Sequence, residues 1–342
     1  AVCPGRGAAF IATHLYGGQA LPDDKTARLV RYRYPALAPD GEYRLPRIGE
    51  LIAADDARNR LFLLLRSQYD KEAELVRFDV PERLGAGKEE DVGDLPRCAF
   101  TGRSLGACVA PDGRHLYVVR ADETFELLRV ETQGMTVADR LSLGEWAFSL
   151  AISPDGNTLY ATGGTKKDGM TIREIDTAGW RVRRTFPLSG STVTRIVCGA
   201  DGLLYYAHDG CWCRANPADD APKARRIPAG QAGQVGRAGN DALLLSPDAR
   251  RLYSIPVGGS KPYSLDVKEL FEFGRYVVAP PDRRAVALPG VLPGEGGVGR
   301  WLDSPGVISA DGKCLLMSSG HSFWLAGAGP LPEVAPELRP KR

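Results

Sequence analysis

The chain has 342 residues, 43% of them hydrophobic and 25% charged, with 44 Lys and Arg against 42 Asp and Glu and a formal net charge of +2. That hydrophobic fraction supplies a real core, and with average charge it excludes an intrinsically disordered chain. The basic residues are dispersed in short pairs such as Arg183-Arg184, Arg225-Arg226, Arg250-Arg251 and Arg283-Arg284, so no nucleic-acid surface is expected, and no apolar run is long enough to span a membrane.

Glycine (40) and proline (25) are abundant, which favours many turns over long helices. Residues 1–50 hold two strand-like pieces, Ala8 to His14 and Ala27 to Tyr34. Cys3 follows Val2, a poor fit to a lipoprotein cleavage site. The Ala-, Gly- and Arg-rich composition points to a GC-rich bacterial genome. The compartment stays open between a secreted or periplasmic form and a cytoplasmic part of a longer bacterial protein. Leu61 to Leu65 is an apolar stretch of strand length. Glu89-Glu90-Asp91 lies in a Gly-containing stretch and reads as a solvated loop insertion.

An internal repeat follows. Ala110-Pro111-Asp112-Gly113-Arg114-His115-Leu116-Tyr117 resembles Ser153-Pro154-Asp155-Gly156-Asn157-Thr158-Leu159-Tyr160, and both resemble Ser246-Pro247-Asp248-Ala249-Arg250-Arg251-Leu252-Tyr253. Weaker copies are Gly199-Ala200-Asp201-Gly202 and Ser309-Ala310-Asp311-Gly312, and degenerate ones fall around Asp56 and Asp282. The unit encodes a hairpin: an apolar strand, then a turn in which Pro fixes φ, Asp bonds its own backbone and Gly takes positive φ, then a second strand. Around Asp155 two more strands follow, Met170 to Asp176 and Trp180 to Phe186, with a turn at Thr177-Ala178-Gly179. The steps from Asp112 to Asp155, Asp201 and Asp248 are those of a four-stranded propeller blade, about 40–50 residues each. The last two steps, to Asp282 and Asp311, are short.

The expected fold is therefore all-β: a β-propeller of about seven four-stranded blades over residues 1–328, followed by a Pro-rich basic tail over 329–342. Too little chain follows Asp311 for a full blade, so the N-terminal strands are expected to complete the last blade and close the ring. Closure leaves no long unpaired sheet edge.

Ile152 to Tyr160 and Ile175-Asp176-Thr177-Ala178-Gly179-Trp180 resemble the YVTN-type, lactonase-like propeller repeat, and are also similar to WD40-like repeats of bacterial proteins. The Gly-His and Trp-Asp pairs of true WD40 blades are absent. The resemblance implies the fold, which hosts enzymes, enzyme subunits and pure scaffolds alike.

Three motifs invite a catalytic or cofactor reading. Gly102-Arg103-Ser104-Leu105-Gly106 matches a nucleophile elbow, with Asp303 and His321 following in hydrolase order, but the elbow needs a helix after the serine. By the repeat it aligns with Gly144-Glu145-Trp146-Ala147-Phe148, which lacks the serine. Gly294 to Gly299 matches a dinucleotide fingerprint but is flanked by Pro289, Pro293 and Pro305 instead of a helix. His208-Asp209-Gly210-Cys211-Trp212-Cys213 offers two thiols and an imidazole, short of a four-ligand zinc site. In the blade frame His208 falls in the loop after the second strand and Cys211 to Arg214 form the third. Seven cysteines cannot all pair within one chain, and Cys98, Cys108, Cys198 and Cys314 read as small buried hydrophobes. No catalytic residue, cofactor or metal is expected.

The remaining site is the rim made by the loops that lead into the innermost strands. It carries Arg103 and Ser104, Glu145 and Trp146, Thr192 and Arg195, Gln231, Gln234 and Arg237, then Arg300 and Trp301. Loops on a rigid scaffold concentrate function, and Trp and Arg are enriched in binding hot spots. The rim residues Arg103, Trp146, Arg195, Arg237, Arg300 and Trp301 are expected to hold a protein partner. The competing reading packs Trp146 and Trp301 between blades. The alternatives are a lactonase-like or quinoprotein-associated enzyme or enzyme subunit, and a small-ligand or carbohydrate binder.

Overall fold

The computed structural model describes residues 2–3, 7–13, 27–33, 38–66, 72–82, 89–91, 94–144, 146–165, 167, 169–188, 193–208, 211–219, 224–228, 242–255, 263–273, 278–279, 283–286, 306–309, 314–319 and 322–327. The chain divides into two compact units, the first carrying the first thirteen strands and the second most of the rest.

In the first unit the strands are β1 (Val2–Cys3), β2 (Ala8–Thr13), β3 (Arg28–Arg33), β4 (Ala38–Arg44), β5 (Ile48–Asp55), β6 (Arg60–Arg66), β7 (Glu72–Asp79), β8 (Glu89–Asp91), β9 (Arg97–Thr101), β10 (Arg103–Val109), β11 (His115–Ala121), β12 (Phe125–Glu131) and β13 (Thr136–Gly144). They form a five-stranded sheet in the order β1-β2-β3-β4-β8 and two four-stranded sheets, β5-β6-β7-β9 and β10-β11-β12-β13.

The next strands are β14 (Trp146–Ile152), β15 (Thr158–Thr165), β16 (Gly169–Asp176), β17 (Arg181–Leu188), β18 (Val193–Cys198), β19 (Leu204–His208), β20 (Cys211–Ala215), β21 (Arg225–Pro228), β22 (Ala242–Leu245), β23 (Arg251–Ile255) and β24 (Tyr263–Asp266). A seven-residue helix α1 (Val267–Phe273) follows, then β25 (Val278–Ala279), β26 (Arg283–Val286), β27 (Gly306–Ile308), β28 (Cys314–Ser319) and β29 (Ser322–Gly327). The sheets are β14-β15-β16-β17, β18-β19-β20-β21, β22-β23-β24-β25 and β26-β29-β28-β27.

The repeat is built as its chemistry dictates. The carboxylates of Asp112, Asp155, Asp201 and Asp248 each accept the backbone N–H two residues on, at 2.9, 3.0, 3.1 and 3.1 Å. In the same turns the N–H of Gly113, Gly156, Gly202 and Ala249 closes on the carbonyl three residues back, at 2.8 to 2.9 Å. These four residues have φ of +67°, +76°, +76° and +55°, so the turn needs the left-handed region that glycine enters at no cost. At the next turn, Thr132 Oγ1 donates to the Gly113 carbonyl (2.6 Å) and Thr177 Oγ1 to the Gly156 carbonyl (2.9 Å). The turn between strands three and four is thereby tied to the turn between strands one and two.

Packing explains why β6 and β19, the second strands of their sheets, are almost wholly apolar. In β6, Leu61, Leu63 and Leu65 join Phe10, Leu29 and Tyr43 of the first sheet, while Phe62 and Leu64 join Leu116, Val118 and Leu128 of the third. Along β19, Leu204 and Tyr206 face Tyr160 and Ile172 of the sheet before it, and Tyr205 and Ala207 face Leu252 and Leu265 of the sheet after it. Such strands are buried on both faces, so the period-2 alternation is lost.

A second device joins neighbouring sheets. Arg31 of β3 donates to the carbonyls of Pro81 (3.0 Å) and Glu82 (3.1 Å), just past β7. Arg77 of β7 donates to the carbonyls of Thr132 and Gln133, both 2.7 Å, in the β12–β13 turn. Arg184 of β17 donates to the carbonyls of Asp219 (3.1 Å) and Pro217 in the β20–β21 turn. Arg225 of β21 donates to the Glu272 carbonyl of α1 (3.1 Å). Four times, then, a guanidinium bolts one sheet to the next.

Five expectations need correction. Six sheets, not seven, are four-stranded; the N-terminal sheet has five strands because β8 adds to its edge. The N-terminal strands do not complete the last sheet among the described residues: β1 to β4 pair with one another and β8, and the last sheet draws all its strands from residues 283–327. The acidic run Glu89-Glu90-Asp91 is a strand, parallel to β4, where a loop insertion was expected. At the β5–β6 hairpin the left-handed residue is Asn59 (φ +53°), and the Asp55 carboxylate accepts the Arg58 N–H, where the anchor was expected at Asp56. His208 ends β19 and is 2% exposed, where a loop position was expected. Asp282, Asp311 and the tail 329–342 lie outside the described residues.

Candidate functional site

The leading ends of the first strands carry the residues singled out by the sequence. Gly102 and Gly144 both have φ of +80°, which supports aligning the two loops. A Cβ at Gly102 would lie 2.2 Å from the Ala121 carbonyl oxygen, so the chain turns there only without a side chain. Arg103 opens β10, exposed and level with Ala121. Ser104 is 7% exposed inside the same strand, which a hairpin follows; the strand–turn–helix setting of a nucleophile elbow is not present there.

Trp146 opens β14 and is half-buried, Ala147 and Ser149 are buried, and Phe148 is 42% exposed. Ser149 Oγ accepts the Ile196 N–H (3.3 Å), tying β14 to β18. Arg195, half-buried in β18, sits where the β18–β19 register slips between Val193 and Ile196. The first strands β5 and β10 slip likewise, between Leu51 and Ala53 and between Ser104 and Gly106. Such bulges re-aim side chains at barrel rims and beside active sites. The repeat pattern could not show them, because each adds one residue to a strand without changing its composition.

The third sheet also presents charge at this end. Arg120 Nη1 donates to Thr101 Oγ1 (2.8 Å), whose hydroxyl donates to Asp122 (2.9 Å), and Arg120 pairs with Glu126. Asp122 and Glu123 are exposed in the β11–β12 turn, just past Ala121, which is level with Arg103. Beside Arg103 this end of the third sheet therefore offers both signs of charge. Arg103 and Trp146 belong to the first unit and Arg195 to the second. Glu145, Thr192, Gln231, Gln234, Arg237, Arg300 and Trp301 lie outside the described residues, as do Gly294 to Gly299, Asp303 and His321.

Titration shifts fall elsewhere. Asp155 and Asp248 are held below the usual carboxylate range chiefly by the hydroxyls of Ser153 and Ser246, and Asp176 chiefly by the Gly179 N–H. All three lie in the repeat's turns. Burial pushes the thiols of Cys98 and Cys198 up to about 11, and Cys108 higher still. A thiol so raised is protonated at neutral pH and a poor nucleophile or metal ligand. Cys211 and Cys213 lie two apart on β20 and pack into one apolar cluster with Tyr160 and Tyr206. Cys98, Cys108, Cys198, Cys211 and Cys213 are all free thiols. Among the described residues no three His, Cys, Asp or Glu side chains gather to hold a metal ion, and no helix is long and apolar enough to cross a membrane.

A four-stranded sheet repeated along the chain makes it an all-β β-propeller. Solved structures agree. A Kuenenia stuttgartiensis hydrazine synthase chain superposes with a TM-score of 0.60 at 17% identity, covering 91% of this chain and 92% of that one. The Dos1 propeller gives 0.57 at 12% identity, covering 94% and 76%. A functionally unknown protein from Desulfotomaculum acetoxidans gives 0.53 at 11% identity, covering 75% of each. At these identities the likeness is one of fold. No family model matches the chain, and no curated protein matches it in sequence.

Proposed function

We propose that this chain is a non-enzymatic β-propeller module that binds a protein partner through the leading ends of its first strands. Its described members are Arg103 and Trp146 in the first unit and Arg195 in the second, and Arg237, Arg300 and Trp301 are its further members. The observation that carries the reading is β14, where Trp146 keeps part of its surface and Phe148 is 42% exposed beside buried neighbours. An aromatic left partly in water at a strand start, on a stiff sheet, is a pre-organised anchor for a partner. Arg103 supplies an exposed guanidinium that suits a carboxylate bidentately.

In this reading residues 1–328 form one domain of seven blades, the five-stranded sheet serving as one of them. The repeat is of the YVTN type: its Asp-centred turns and the Thr177 bond to the Gly156 carbonyl are the features that support this. The partner expected is a protein, not a nucleic acid.

The test compares capture of partners from a bacterial lysate by the wild type, by a triple variant Arg103→Ala, Trp146→Ala, Arg195→Ala, and by Arg114→Ala on a repeat turn. A partner held by the wild type and Arg114→Ala but lost by the triple variant supports the reading. Equal capture by all three contradicts it and turns attention to lactonase-type and small-ligand screens. The hydrazine synthase chain keeps an enzyme-subunit role as the reading to test next, by assay of the complex that is captured.

A further inference from the structure

The five-stranded sheet departs from its neighbours in one place. Strand β8 lies beyond β4, where the other sheets end at their fourth strand. It is three residues long, and its pairing is parallel, where the pairings of β2 with β3, β3 with β4 and β6 with β7 are antiparallel. It comes from the connection between β7 and β9, an insertion where the third and fourth sheets have only the tight turns Thr132–Met135 and Thr177–Trp180. The register sets Asp91 level with Arg44, which is itself level with Arg28 of β3. An acidic residue thus continues a row that holds two arginines. Two positions on, Glu89 is level with Glu42, which pairs with Arg28 at 3.8 Å, and an acidic residue opposite another weakens a ladder. So short a strand makes few ladder bonds, each of small net worth, against an ordering cost of similar size.

We propose that the outer edge of β4 is a docking site for an acidic, extended segment of a protein partner, and that β8 is its displaceable internal occupant. The partner's strand adds in parallel, places a carboxylate residue level with Arg44, and carries a neutral residue level with Glu42. Main-chain pairing gives the affinity and Arg44 at the edge the choice of charge, as in strand addition to other sheet edges. Displacement releases Glu89–Asp91 from the edge of β4, so binding is reported within the chain.

The probe is a fluorescein-labelled peptide of residues 86–94, used as such and with Thr at the position of Glu89. The protein is the full chain, as wild type and as a vacated variant, Glu89→Gly, Glu90→Ser, Asp91→Gly, with Arg44→Glu added in a third form. By fluorescence anisotropy the vacated variant should bind the peptide at least tenfold more tightly than the wild type. The Thr peptide should bind more tightly than its parent, and Arg44→Glu should abolish binding. Should the vacated variant fail to melt cooperatively, hydrogen exchange on the wild type takes its place. Excess Thr peptide should then speed exchange at residues 89–91 while residues 42–44 stay protected. The proposal is overturned if neither peptide binds, if Arg44→Glu leaves binding unchanged, or if the vacated variant instead dimerises through the freed edge.

Discussion

Arg77→Ala isolates one bolt between sheets. Its side chain is 13% exposed, and it donates to two carbonyls of the β12–β13 turn, both at 2.7 Å, and to Asp79 at 2.9 Å. A hydrogen bond from a charged group is worth about 1.5–3 kcal/mol net when its partner cannot be rehydrated. Thr132 is 1% exposed, so its carbonyl bond counts fully, whereas Gln133 is exposed and water recovers much of the second. The Asp79 side chain is 56% exposed, so that pair adds under about 1 kcal/mol. The expected loss is therefore about 2–4 kcal/mol. Urea unfolding followed by circular dichroism should show a lower midpoint with an unchanged slope. Arg77→Lys should recover only part of the loss, because an ammonium cannot span two carbonyls as a guanidinium does. Arg114→Ala, with a side chain 81% exposed, is the control and should cost under about 0.5 kcal/mol. If Arg77→Ala costs no more than the control, the guanidinium bolts do not hold the sheets.

Gly113→Ala and Gly202→Ala both force alanine into the left-handed region, at about 1 kcal/mol each. Gly113→Ala should cost more, because the Arg58 guanidinium stands 2.2 Å from the new Cβ and must leave its place beside Asp55; equal melting shifts would refute this. Ala249→Gly relieves the strain at φ +55° and should stabilise by up to about 1 kcal/mol, read from the same melts. Leu63→Ala, in the core between the first two sheets, should cost about 2–5 kcal/mol in urea unfolding. Asp155, Asp176 and Asp248 have folded pKa values below their unfolded value of 3.8, so their contribution is present above pH 4 and lost as pH falls through the folded values. Asp155→Asn should flatten the loss of stability below pH 4, and an unchanged acid limb would contradict the assignment. At the alkaline end the signs reverse. Cys98 near 11 and Tyr117 near 12 stay protonated in the fold above the pH at which they ionise unfolded, so stability should fall from pH 9 upward.

The repeat's turns were legible because each rests on local chemistry: a carboxylate reaching a backbone N–H two residues on, and a residue free to take positive φ. Four turns follow that rule and the sequence displays all four. The N-terminal sheet was not legible in the same way. It carries the same triplet, Pro39-Asp40-Gly41, but inside β4 and not at a hairpin turn, and the β5–β6 turn of the second sheet works through Asp55 and Asn59 instead. Strand β8 escaped because three acidic residues near glycines have the composition of a loop, and only the edge of β4 makes them a strand. The arginine pairs looked like dispersed surface charge. Arg184 and Arg225 proved to be bolts, because their acceptors are backbone carbonyls, which any residue carries and no pattern marks. At the candidate site, the shared glycine at positions 102 and 144 was readable, but the bulges in β5, β10 and β18 and the carboxylates of Asp122 and Glu123 were not. Those depend on register and on which turns share an end of the sheet.

Site-specific photo-crosslinking tests the central claim most directly. Full-length protein carrying p-benzoylphenylalanine at the position of Arg103, or at that of Arg114, is irradiated in lysate and its adducts resolved by mass spectrometry. A protein adduct formed from position 103 and absent from position 114 is the result expected of a partner seated on the strand starts. Adducts from position 114 alone, or from neither position, would contradict it.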